Sequence, residues 1–183
     1  EQVEESGLKA KYHHAVCSAG CFFYPEMQMN MVRVGIAQYG LWPSAETKIQ
    51  YLKKIDDKSV DPLKRVISWK SRVMSTKKVE SGEFIGYGTT FLATQDMLLA
   101  TIPVGYANGF SRALSNTGRV LIKGIRCSVI GLVNMNMLMI DVSNVEGGVK
   151  KGDEVVLIGD QDEHSISLSS FGELSNQLNY ELL

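Results

Sequence analysis

The sequence predicts a mainly β fold: a Greek-key-like β-barrel over residues 62–183, preceded by the closing elements of an α/β unit. Three observations carry this. Val66 to Val79 is rich in Val, Ile, Thr and Trp, and short apolar runs separated by glycine turns follow it, as in closed antiparallel sheets. Ahead of residue 60 the pattern is mixed, a helix tail, a short strand, a small-residue loop and another strand, as at the end of alternating α/β chains. A charged segment ending at Asp61-Pro62 separates the two.

In chain order, Glu1 to Lys9 reads as the tail of a surface helix, and Lys11 to Val16 as a strand followed by the turn-forming Ser18-Ala19-Gly20. Met31 to Leu41 is a second apolar strand ending at Trp42-Pro43. Ala45 to Ser59 carries Ile49, Leu52 and Ile55 at helical spacing and reads as a connecting helix. Strands are then expected over Val66 to Val79, Phe84 to Phe91, Met97 to Pro103, Arg119 to Ile125, Cys127 to Val133, Met137 to Val142 and Glu154 to Ile158. Ser169 to Leu178, with a serine cap and Leu174 and Leu178 four apart, is the one helix expected in the β region. The resulting division is residues 1–43, a linker helix over 44–61, and the barrel over 62–183.

The composition excludes several function classes. A formal net charge of −1 gives no reason to expect a nucleic-acid or anionic-membrane partner. The apolar runs, such as Met137-Leu138-Met139-Ile140, are far too short to span a bilayer. Cys17, Cys21 and Cys127 form a sparse, odd set, which points to reduced thiols and a cytoplasmic setting. His13, His14, Cys17 and Cys21 look metal-like, but a strand over Tyr12 to Val16 would send the two histidines to opposite faces, so no metal is expected.

The chemistry comes from a set of motifs. The segment Val104-Gly105-Tyr106-Ala107-Asn108-Gly109-Phe110-Ser111-Arg112 resembles the Gly-Tyr-Ala-Asp-Gly signature of the alanine racemase family. Ile85-Gly86-Tyr87-Gly88-Thr89-Thr90-Phe91 is similar to that family's Gly-Tyr-Gly strand, and the run from Val129 to Met137 to its Val-Gly-x-Val-x-Met-Asp segment. Gly152 to Gly159 and Asn179-Tyr180-Glu181 also fit. Upstream, Arg33-Val34-Gly35-Ile36 resembles the family's Arg-Pro-Gly-Ile, and Cys17-Ser18-Ala19 its Asn-Ser-Ala. Each motif is weak alone; their order and spacing over nearly the whole chain are specific.

The resemblance implies an architecture and a reaction. Residues 1–43 would close an eight-stranded α/β barrel that binds pyridoxal 5'-phosphate, and the rest would be the family's β-domain. The full-length protein would interconvert L- and D-alanine as a homodimer whose active site is shared between subunits. Removing an amino acid's α-proton requires a cofactor to spread the resulting charge, and racemisation requires a base on each face. The family uses the cofactor-bearing lysine on one face and the tyrosine matching Tyr106 on the other. A phenol takes up a proton near neutrality only where its surroundings favour the anion. By the same carry-over, Arg33 would face the pyridine nitrogen, which a guanidinium leaves unprotonated. Ser18 and the amides of Gly35 and Ile36 would hold the phosphate, and the amide of Met135 the substrate carboxylate. The family's Lys-Ala-Asn-Ala-Tyr-Gly segment is not in this sequence, so the chain by itself is expected to be inactive.

Each residue also has a plainer reading: Tyr106 as a packed rim residue, Arg33 as a strand-end arginine, Ser18 as a loop cap, and Met135, Met137 and Met139 as alternating core. The sequence departs from the family at Asn108 and Asn136, each in place of Asp, at Cys17 in place of Asn and at Val34 in place of Pro. The loss of charge at 136 keeps serine and broad-specificity racemases open as alternatives. A non-catalytic β-barrel dimerisation or scaffold module is the rival from another class. Decarboxylases that share the barrel-plus-β-domain plan are disfavoured by the Gly105 to Gly109 turn.

Overall fold

A computed structural model describes residues 5–55, 61–175 and 183 of the chain. They fall into two compact units, Glu1–Val66 and Ile67–Leu183. The Asn179-Tyr180-Glu181 motif, residues 176–178 of the expected helix and residues 56–59 of the expected linker helix lie outside the described residues.

In the first unit, α1 (Ser18–Phe23) occupies the stretch expected to be a turn. A 3₁₀ turn follows at Pro25–Met27 and another at Ile36–Tyr39. The helix α2 (Ala45–Lys54) forms as its spacing predicts. It is capped by Ser44, whose hydroxyl accepts from the Thr47 amide at 3.2 Å, and closed by Lys53 and Lys54, which suit the negative end of the helix dipole. Phe22, Trp42 and Tyr51 pack as an aromatic cluster with centroids 4.9 to 5.5 Å apart. Burial alone would raise the Asp61 carboxyl, but Lys48 at 2.8 Å, the Leu63 amide and the Trp42 indole N–H together hold it below the usual range. The two strands expected over Lys11–Val16 and Met31–Leu41 are not formed. One backbone bond, from the Arg33 amide to the Val16 carbonyl at 3.2 Å, joins the two stretches, and a strand needs repeated bonds along its length.

The second unit is mainly β and antiparallel. Its strands are β1 (Trp69–Arg72), β2 (Ser75–Val79), β3 (Phe84–Ile85), β4 (Phe91–Leu92), β5 (Met97–Ile102), β6 (Arg119–Ile122), β7 (Ile125–Ile130), β8 (Leu138–Asp141), β9 (Glu154–Gln161) and β10 (His164–Ile166). The main sheet runs β1-β9-β6-β7-β8-β5-β2, with β10 beside β9 and with β3 and β4 as a separate pair. Its two ends are neighbours in sequence, joined by Val73 and Met74 alone. The Val73 amide donates to Asp153 ahead of β9, and the Met74 amide to Thr101 of β5. One bent strand therefore pairs with both ends of the path, and the sheet curls onto itself through the chain at Val73-Met74.

The apolar pattern explains the pairing. Strand β9 is buried continuously from Val155 to Gly159, and β6 from Val120 to Ile122, because both of their faces are covered. Val79, Ile85, Ala93, Met97, Leu99 and Ile130 form one core cluster, with Phe91 and Met139 against it. Phe110, 0% exposed, packs edge-on to Phe171 at 5.1 Å and tilted on Trp69 at 6.0 Å. The expected Phe84–Phe91 strand is broken in the middle. Gly86 and Gly88 sit at φ of 82° and 74°, so the chain leaves extended geometry and makes a 3₁₀ turn at Tyr87–Thr89. The helix α3 (Leu168–Ser175) is led by Ser167, whose hydroxyl accepts from the Ser170 amide at 3.0 Å. None of the described helices is long and apolar enough to cross a membrane.

Replacing Phe110 with alanine removes the largest fully buried side chain among the described residues and should cost about 3–5 kcal/mol of stability. Urea denaturation followed by tryptophan fluorescence measures this; a loss under about 1 kcal/mol would contradict the packing described.

Candidate functional site

The Gly105–Gly109 turn is short, tight and fastened to another loop. Residues Tyr106–Asn108 make one 3₁₀ turn, ended by Gly109 in the left-handed region. The Asn108 side-chain oxygen accepts from the Gly105 amide at 3.0 Å, closing the turn on itself. Asparagine supplies the acceptor that aspartate would supply, so the turn survives the exchange without its charge. Two further bonds tie the turn to the loop between β7 and β8: the Tyr106 amide donates to the Asn134 carbonyl at 3.0 Å, and the Ala107 amide to the Met135 carbonyl at 2.9 Å.

Gly105 permits this contact. A Cβ built there would lie 2.1 Å from the Asn134 carbonyl oxygen and 2.5 Å from the Met135 carbonyl. Its φ of −150° suits any residue, so what demands glycine is the approach of backbone to backbone. Tyr106 and Met135, from separate motifs, are thus brought together. Tyr106 is 42% exposed, and among the described residues its phenol has no hydrogen-bond partner. The Met135 carbonyl is used by Ala107, while its amide donates to no acceptor among the described residues. Met135 and Met137 are exposed, and only Met139 packs against the core, so the alternating-core reading holds for Met139 alone. Asn136 is exposed as well.

In the first unit, Ser18 and Gly35 meet. Ser18 opens α1, is 4% exposed, and accepts from the Gly35 amide at 2.9 Å through its hydroxyl oxygen. Among the described residues its own hydroxyl proton has no acceptor. Gly35 caps the 3₁₀ turn that Ile36 begins, and the Ile36 amide is also uncommitted among the described residues. A buried hydroxyl with its proton unspent, beside a free amide, suits a phosphate. The Gly35 amide is already used, so its part is to orient Ser18. Arg33 is exposed, joined to Val16 through its amide.

Sequence reasoning missed the chemistry of Cys17, which directly precedes α1. The amides of Gly20, Ala19 and Cys17 itself, together with the Arg33 charge, outweigh burial and lower its thiol. Cys127 is the opposite case: burial, with the Asp141 carboxylate adding to it, pushes its thiol up to about 11.

The curled antiparallel sheet and its tyrosine-bearing turn fit one class, the β-domain of the alanine racemase type. Residues 66–183 match the family model described as alanine racemase, C-terminal domain, and the chain belongs to that family. It is similar to alanine racemase 1 of Oceanobacillus iheyensis, 38% identical over 99% of the chain and 46% of that protein. Alanine racemase 2 of Bacillus subtilis is 37% identical over 99% of the chain and 44% of its own length. Among solved structures, the alanine racemase of Bacillus anthracis with bound L-Ala-P superposes with a TM-score of 0.85 at 33% identity, covering 98% of this chain and 44% of that one. That of Bartonella henselae, with covalently bound pyridoxal phosphate, gives 0.77 at 26% identity, covering 99% and 46%. The chain spans less than half the length of these relatives.

Gly105→Ala should detach the turn from the Asn134-Met135 backbone. Amide hydrogen exchange at Tyr106 and Ala107 should accelerate strongly, and unchanged protection would overturn the contact. Iodoacetamide near neutral pH should label Cys17 well before Cys127, since the thiolate is the nucleophile and rising pH populates it first where the pKa is lowered. Peptide mapping reads the order, and faster labelling of Cys127 would refute it.

Proposed function

We propose that the full-length protein containing this chain is a pyridoxal-phosphate-dependent racemase that interconverts L- and D-alanine, working in the cytoplasm as a homodimer. In this reading residues 1–43 end its cofactor-binding barrel, 44–61 are the linker, and 62–183 are its β-domain. The observation that carries it is the seating of Tyr106 beside the uncommitted Met135 amide. Membership of the family supports it.

The chain's own residues each have a task. Ser18, oriented by the Gly35 amide, would hold the cofactor's phosphate by a hydrogen bond from its hydroxyl, and the Ile36 amide would add a second donor. Arg33 would face the pyridine nitrogen and, keeping its own proton as a guanidinium does at any ordinary pH, would leave that nitrogen unprotonated. The cofactor, when bound, supplies the electron sink that lets an α-proton leave. The Met135 amide donates to the substrate carboxylate and so fixes which way the amino acid lies. The Tyr106 hydroxyl oxygen takes or returns the α-proton on one face only. The other face belongs to the lysine in the remainder of the protein.

Tyr106→Phe in the full-length protein keeps the ring and removes the ionisable oxygen. Turnover should fall in both directions, since equilibrium ties the two together. Exchange of the α-hydrogen with deuterated solvent separates the faces: one enantiomer should continue to exchange, and the other should slow by roughly 10²–10⁴-fold. Wild-type exchange of both enantiomers would make Tyr106 a packing residue and end this assignment.

A further inference from the structure

The outer face of β6 carries a small core of its own. Val120 and Ile122 share one face of the strand, and Arg119 and Leu121 the other. In the β6–β7 register Arg126 lies across from Leu121, so Arg119, Leu121 and Arg126 share that outer face. Leu121 is fully buried against Val156 and Ile166, while both arginines remain exposed. A cavity of about 310 Å³ opens here, lined by β10, α3 and this face.

The lining divides by chemistry. Leu114, Ile166, Phe171 and Leu174 are apolar, and Arg119 and Arg126 bring two guanidiniums. Both are held in place by backbone oxygens. Arg126 Nη2 donates to the Ser165 carbonyl at 3.1 Å, and Arg119 Nη1 to the carbonyls of Thr117 and Gly118 at 3.0 Å each. These bonds engage one nitrogen of each fork. Among the described residues neither guanidinium has a carboxylate partner. Ser170 adds a hydroxyl to the lining, and the first turn of α3 contains no acidic side chain to repel an anion. Two positioned guanidiniums without a carboxylate partner among the described residues therefore stand at the edge of an open, largely apolar cavity.

We propose that this cavity binds a small monocarboxylate with an apolar body, its carboxylate between Arg119 and Arg126 and its body against Phe171 and Leu174. The volume fits one compact molecule. A bare phosphate would leave the apolar walls without a partner, and a neutral apolar molecule would leave the guanidiniums without one. The cavity shares no residue with the Tyr106 turn or with Met135, so it is a site separate from the one proposed above.

The test titrates 4-phenylbutyrate into the full-length protein, followed by ligand-observed NMR, with soaked crystals to locate it. Saturable binding is expected, with density in this cavity, and the neutral 4-phenylbutanamide should bind about tenfold or more weakly. Arg119→Gln with Arg126→Gln should weaken the acid by at least that factor while leaving the amide unchanged. Leu174→Trp fills the mouth, keeps both charges and should abolish binding of acid and amide alike. All three positions are exposed, so the variants should keep the wild-type melting temperature. Absence of binding, equal affinity for acid and amide, or binding indifferent to the two arginines would each overturn the proposal.

Discussion

The contact between Gly105 and the Asn134-Met135 backbone is the constraint on which the candidate site rests. The loop that follows β5 and the loop that precedes β8 are distant in sequence, and side chains alone would hold them loosely. Pressing backbone on backbone lets two amides of one loop reach two carbonyls of the other. That approach leaves no room for a Cβ, so a single glycine hydrogen atom decides whether the loops can meet. The same contact also decides which groups stay available. The Met135 carbonyl is consumed and its amide is not, and Tyr106 is held by its backbone while its phenol stays free.

Much of the β unit was legible because its strands are short, apolar and separated by glycine, and because the sheet's inner strands are buried on both faces. What escaped depended on context. Lys11–Val16 and Met31–Leu41 have strand composition, but the backbone becomes a strand only where partners repeat along it, and a single bond joins these two stretches. The break at Gly86 and Gly88 was hidden because glycine permits both extended and left-handed geometry without declaring which. Strand β10 is three residues of mixed polarity, kept by its pairing with β9 rather than by any pattern.

The site residues were legible in a different way. No periodicity marks Tyr106, Ser18 or Arg33; ordered motifs alone single them out as candidates. The structure adds which groups those motifs leave uncommitted. Ser18 illustrates the gain. The sequence offered a hydroxyl and two amides as equal donors, but the Gly35 amide is spent on Ser18, so it supports the serine instead of standing free. The exchanges to asparagine also separate. At position 108 the acceptor oxygen matters, and asparagine has it. At 136 the residue is exposed beside Met135, so the exchange removes a charge next to the free amide and leaves the backbone alone.

A nine-residue segment, Val104 to Arg112, divides structural from chemical work among its members. Phe110 is fully buried and anchors the segment's far end in the aromatic cluster with Trp69 and Phe171. Gly105 and Asn108 fix its near end through backbone geometry. Between them Tyr106 contributes its amide to the fold and keeps its ring 42% exposed. Its neighbours carry the packing, and the Tyr106 ring is not needed in the core. Substitutions at 105 or 110 therefore act on the fold, while removal of one exposed oxygen at 106 leaves the fold intact.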